Sequence, residues 1–179
     1  MPEARLEDSG SGLAPASEGW FVVNVRDAEW WDSKTFGSGC EFESREFAFP
    51  DFGINIAVLP PGEPNCLYHS ESQQEDFLVL TGQCKVLVEG EERLLQPWDF
   101  VHCPAGTEHV FVGAGEGPCA ILMVGARRED EKLLYPVSEL AALYGASAEE
   151  ETPDPSKAYE RFERPERGRP AYWDSLPWA

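Results

Sequence analysis

Between residues 19 and 124 the chain is a succession of short apolar or alternating segments punctuated by Gly, Pro and Asn, and no other feature of the sequence restricts the fold as much. Alternating residues point to opposite faces of a strand, so each segment has a face to bury. Strands are expected at 20–25, 46–49, 54–59, 65–71, 75–80, 84–88, 93–95, 99–103, 109–112 and 120–124. Turn residues separate them: Pro60-Pro61-Gly62, Thr81-Gly82, Glu89-Gly90, Pro104-Ala105-Gly106 and the glycine-rich 113–117. Many short strands with no strand–helix alternation predict an antiparallel sandwich or barrel, an all-β fold.

Different textures flank this region. Residues 1–18 are rich in Gly, Ser, Pro, Ala and Glu, which predicts a flexible tail ahead of a barrel spanning 19–126. Residues 127–179 read as a helix and an irregular tail. The helix is expected over 136–145, with Ser138 as N-cap, Leu140, Leu143 and Tyr144 on one face and Gly145 as the stop. Tyr159, Phe162, Tyr172, Trp173 and Trp178 are too many aromatics for a disordered tail, so part of it should pack along the barrel or a partner subunit.

At 179 residues, one core is the expectation. The formal net charge of −19 disfavours nucleic-acid and membrane-surface partners, whose affinity comes largely from Lys and Arg. Cys40, Cys66, Cys84, Cys103 and Cys119 stand singly with no CxxC pair, which argues against a disulfide scaffold or a structural zinc site. No apolar run has the length of a signal peptide or a membrane span, and a cytoplasmic location is expected.

The chemistry gathers around two of the three histidines, His69 and His109. The first lies in Gly62-Glu-Pro-Asn-Cys-Leu-Tyr-His69-Ser-Glu71-Ser-Gln-Gln-Glu75, followed after six residues by Gly82. The other lies in Pro104-Ala-Gly106-Thr-Glu-His109. Side chains at i and i+2 of a strand face one way, so His69 and Glu71 share a space. Glu75 would face inward with Phe77 and Val79, and His109 with Phe111. Two imidazoles and one or two carboxylates form an N/O donor set suited to Mn, Fe, Zn, Ni or Cu rather than Ca. His102 is expected to pack or bond structurally.

These two stretches resemble the paired motifs of the cupin superfamily: Gly, His-x-His, a Glu three or four residues on and a Gly after six more; then Gly, Pro-x-Gly, His and Asn. The likeness covers about residues 54–124 and implies a double-stranded β-helix, or jelly-roll, cupin barrel. Glu71 stands at the second His, Trp98 at the first Gly of the second motif, Gly113 at the Asn, and Gly62 is one residue further from His69 than usual. Two registers are open: a Glu spacing of three keeps His69 and Glu71 inward, whereas a spacing of four would turn Tyr68 and Ser70 inward.

The resemblance implies one divalent transition metal on His69, Glu71, Glu75 and His109, with Tyr68, Phe77 and Phe111 placed to contact a small-molecule ligand. Tyr68 or Glu71 is the candidate proton carrier. It also implies a homodimer, and an enzyme of dioxygenase, isomerase or decarboxylase type acting on a small polar molecule; the alternative is a non-catalytic ligand-binding or structural cupin.

Overall fold

A computed structural model describes residues 1–130 and 132–179. Its strands are β1 (Leu6–Asp8), β2 (Leu13–Pro15), β3 (Glu29–Asp32), β4 (Ser38–Glu41), β5 (Phe52–Leu59), β6 (Ser70–Glu71) and β7 (Glu75–Thr81). They continue with β8 (Gln83–Val88), β9 (Glu91–Leu95), β10 (Phe100–Cys103), β11 (His109–Ala114), β12 (Cys119–Ala126), β13 (Leu133–Leu134) and β14 (Glu166–Arg167). Two short helices, α1 (Glu139–Ala142) and α2 (Pro155–Ala158), fall between the last two strands.

One seven-stranded antiparallel sheet runs β10-β7-β12-β5-β4-β3-β14, and β11-β8-β9 form a second sheet of three strands. Single bridges from Pro64 to Val112 and from His69 to His109 lay the chain before β6 along the free edge of β11. The inward residues of both sheets, among them Leu59, Phe77, Val79, Val86, Phe111 and Ile121, make the core between the layers. This is the expected jelly-roll arrangement, except that the strand expected at 65–71 is reduced to β6, with His69 in an isolated bridge ahead of it.

The outer face of the large sheet is covered as well. Ile56, Val58 and Ala120 pack there with Trp30 under Tyr172, Trp173, Leu176 and Trp178. The Trp30 ring meets Trp173 edge-on at 5.2 Å and stacks on Trp178 at 5.7 Å. The tail aromatics therefore bury against their own chain. On the small sheet, Leu87, Val110 and Val112 are capped by Ala141 and Ala146. Ser138 does cap α1, accepting from Ala141 N at 3.2 Å, and Gly145 carries the positive φ of a helix stop. The buried face is Ala141 with Leu140 and Tyr144, however, and Leu143 is exposed.

Several elements differ from the sequence expectation. Residues 20–25 form no strand: Val23 and Val25 do pack near Trp30, but the backbone turns, with Asp27 N bonding Asn24 O at 2.8 Å. Residues 46–49 form none either, because nearby side chains take their amides: Ser44 Oγ accepts from Phe47 N at 3.2 Å and Glu43 from Phe49 N at 2.8 Å. Conversely, β3 and β4 were not expected, since acidic residues interrupt their pattern; the buried Glu29 is paired with Arg167 at 2.6 Å. Within the stretch expected to be a flexible tail, β1 and β2 pair as a hairpin. Among the described residues no helix is long and apolar enough to cross a membrane.

Candidate metal centre

His69 and His109 are brought together by the backbone. His109 N bonds His69 O at 2.8 Å and His69 N bonds His109 O at 3.1 Å, so the two are directly opposed neighbours with side chains on one face. Their rings lie 5.0 Å apart. The turn before β11 sets this register: Gly106 has φ +85°, which a side chain tolerates poorly, and its N–H reaches Glu71 O at 2.7 Å.

Each imidazole is pinned through Nδ1 to a carbonyl two residues earlier, His69 to Leu67 O at 2.9 Å and His109 to Thr107 O at 3.1 Å. Nδ1 is then the donor, and Nε2 of each ring faces a carboxylate. His109 Nε2 lies 3.4 Å from Glu75 Oε2, and His69 Nε2 lies 3.7 Å from Glu71 Oε1. Donor atoms of His69, Glu75 and His109 all fall within 4.8 Å of one another. Two ligands held about 2.1 Å from one ion are separated by roughly 3.0 to 3.4 Å at octahedral and tetrahedral angles. His109 Nε2 and Glu75 Oε2, 3.4 Å apart, stand at that spacing, and the two imidazoles and one carboxylate of the trio match a divalent ion in donor chemistry, with Glu71 beside them.

Both rings are buried, His109 almost completely. Burial favours the neutral form of each, and the outcomes diverge. At His69 the Cys66 sulfur and the Glu71 and Glu75 carboxylates outweigh burial and raise the pKa well above the ordinary value. At His109 burial prevails, reinforced by His69, and lowers the pKa to about 4. The pair thus holds one proton readily and resists a second. Cys66 takes part directly, its Sγ 3.6 Å from His69 Nδ1.

The four expected donors, His69, Glu71, Glu75 and His109, line one cavity of about 320 Å³ together with Phe77. Phe111 sits behind Phe77, ring centroids 4.6 Å apart, and is fully buried. Tyr68 lies elsewhere. It packs on the opposite side of the small sheet with Leu87 and Val110, and its hydroxyl accepts from Gly90 N at 3.3 Å. A strand residue adjacent to an inward His69 must face outward, which corrects the expectation that Tyr68 contacts the ligand or carries a proton. His102 bonds Asp76 at 2.7 Å outside the cavity.

Asn55, Asn65, Met123 and Arg127, which no motif marks, also line the cavity. Asn65 Oδ1 accepts from Phe111 N at 2.8 Å, which fixes its amide at the cavity edge. Arg127 donates to Glu43 Oε2 at 2.9 Å and to Phe49 O at 2.8 Å. The two departures in the second motif also find reasons. Trp98 has φ +76°, the conformation a glycine would supply, and a Cβ on Gly113 would lie 2.1 Å from Pro60 O.

No curated protein matches the chain in sequence. Among solved structures, a sugar phosphate isomerase from a cupin superfamily, from Silicibacter pomeroyi, is 24% identical over 66% of this chain and 82% of that one, with TM-score 0.57. The polyketide cyclase RemF from Streptomyces resistomycificus is 17% identical over 62% and 82%, with TM-score 0.52. A predicted oxalate decarboxylase from Thermotoga maritima is 20% identical over 60% and 99%, also with TM-score 0.52. At such identities the likeness is one of fold, and the three names differ in chemistry. The family model described as the cupin domain matches residues 55–125. The two-sheet fold, the paired histidine motifs and the family match agree, and residues 55–125 are a cupin superfamily domain.

Proposed function

We propose that the chain is a divalent-metal-binding cupin that acts on a small polar molecule at the cavity between its sheets. One observation carries this reading: His69, Glu75 and His109 offer donor atoms within 4.8 Å of one another on the wall of that cavity. Neutral imidazoles and a carboxylate suit Mn, Fe, Zn, Ni or Cu. A bound ion would supply Lewis-acid polarisation of a ligand oxygen and a template for its orientation.

The chain's own residues divide the remaining work. The backbone carbonyls of Leu67 and Thr107 hold each Nδ1–H, so each Nε2 is presented as a donor. Glu71, 3.7 Å from His69 Nε2, is placed as a fourth donor or as the group that carries a proton to or from the ligand. Phe77 and Met123 give the cavity an apolar wall, and Asn55, Asn65 and Arg127 give it polar groups to orient a ligand. An isomerase, decarboxylase or dioxygenase type of reaction is compatible with this layout.

A reducing compartment suits the five free cysteines. A homodimer would use surface other than the tail aromatics, and Leu94 on β9 and Phe100 on β10, edge strands of the two sheets, are exposed.

Titration of metal-stripped protein with Mn, Ni and Zn should show one site per chain, and oxalate, a bidentate oxygen probe, should bind the loaded protein and not the stripped one. Binding of oxalate irrespective of metal would contradict a metal-centred ligand site.

A further inference from the structure

The stretch that carries His69 and Glu71 is bonded to residues far beyond the matched domain. Leu67 N donates to Tyr159 Oη at 2.9 Å. Tyr68 N donates to Ala146 O at 2.7 Å, and Ser72 N to Lys132 O at 2.9 Å. Between them, β6 pairs with β13, Glu71 opposite Leu133. Tyr135 then stacks on the His69 ring, centroids 5.8 Å apart, and meets Tyr159 edge-on at 5.6 Å. One edge of the ligand stretch is held by His109, and the other is held by residues 132–159.

We propose that this C-terminal segment is a working part of the metal centre, and that Tyr159 is a positioning residue for His69. The link is short. Tyr159 fixes the Leu67 amide, the Leu67 carbonyl accepts from His69 Nδ1, and that bond aims Nε2 at the site. Tyr135 limits rotation of the same ring from its face. Removing the Tyr159 oxygen leaves a buried N–H without its acceptor two residues from the ligand. The inference rests on the metal-site reading above.

The test compares wild type, Tyr159→Phe and Phe162→Leu, the last a packing control in the same aromatic cluster. Zinc affinity is read by competition with a chelator, and amide hydrogen exchange is read on metal-free protein. Tyr159→Phe should weaken zinc binding about tenfold and speed exchange over residues 67–72 while leaving β8 unchanged. Phe162→Leu should lower Tm without either effect. Zinc affinity in Tyr159→Phe within about twofold of wild type, or an equal loss in Phe162→Leu, would overturn the proposal. If wild type binds no zinc, the metal-site reading fails and exchange alone decides: a rise confined to 67–72 upholds the clamp, and a uniform or absent rise overturns it. Should Tyr159→Phe not fold, Tyr135→Leu carries the same expectation and the same overturning result.

Discussion

His69 and His109 exchange both of their backbone hydrogen bonds, at 2.8 and 3.1 Å, across an isolated antiparallel bridge. Two residues so far apart in sequence thereby present their rings side by side, and the site inherits its geometry from the sheet.

The paired rings give metal-free protein a particular pH dependence. His109, with its pKa lowered to about 4, stays neutral in the fold while the unfolded chain protonates near the ordinary value of about 6.5. Stability is therefore lost as pH falls from about 6.5 to 4, by on the order of 3 kcal/mol. His69, with a raised pKa, acts in the opposite sense, and its contribution is lost as pH rises above about 6.5. Denaturation of metal-free protein across this range should show a maximum near pH 6.5, and the acid limb should be absent in His109→Gln. An unchanged acid limb in the variant would assign it to other groups.

Tyr68→Phe separates the two registers of the first motif. With Tyr68 outside the cavity, the variant should keep wild-type metal affinity and lose about 1 kcal/mol of stability with the Gly90 bond. Loss of metal would return Tyr68 to the site.

The carboxylates should be unequal. Glu75→Gln removes the donor beside His109 and should weaken zinc binding by at least about tenfold, whereas Glu71→Gln should cost less. Equal losses measured by competition titration would make Glu71 a full ligand.

Backbone geometry predicts opposite signs for two motif reversions. Gly113→Asn places a Cβ against Pro60 O and should destabilise by about 3 kcal/mol. Trp98→Gly relieves a left-handed residue and should stabilise by about 0.5–1 kcal/mol after the added chain entropy. Thermal melts check both, and a stable Gly113→Asn would mean the Pro60 turn yields easily.

The strands from β5 to β12 and the ligand positions were legible because period-two alternation and the motif intervals are local signals. What the pattern concealed has a common cause. Trp30 lies in a strand beside Glu29, whose partner Arg167 is far along the chain, and the apparent strand at Val23 and Val25 packs its apolar side chains while its backbone turns. Tyr135, Tyr159 and Arg127 reach the site only through tertiary folding, so no spacing announces them. The motif intervals alone admit both registers at Tyr68 and His69, and one residue of slip exchanges the faces.

Elemental mass spectrometry of tag-free wild type and His109→Ala tests most directly whether His69, Glu75 and His109 hold a metal ion. Close to one Mn, Fe, Ni, Cu or Zn per wild-type chain is expected, and none in a folded His109→Ala. A wild-type chain that stays empty after incubation with each of these ions, or a variant that retains its metal, would contradict it.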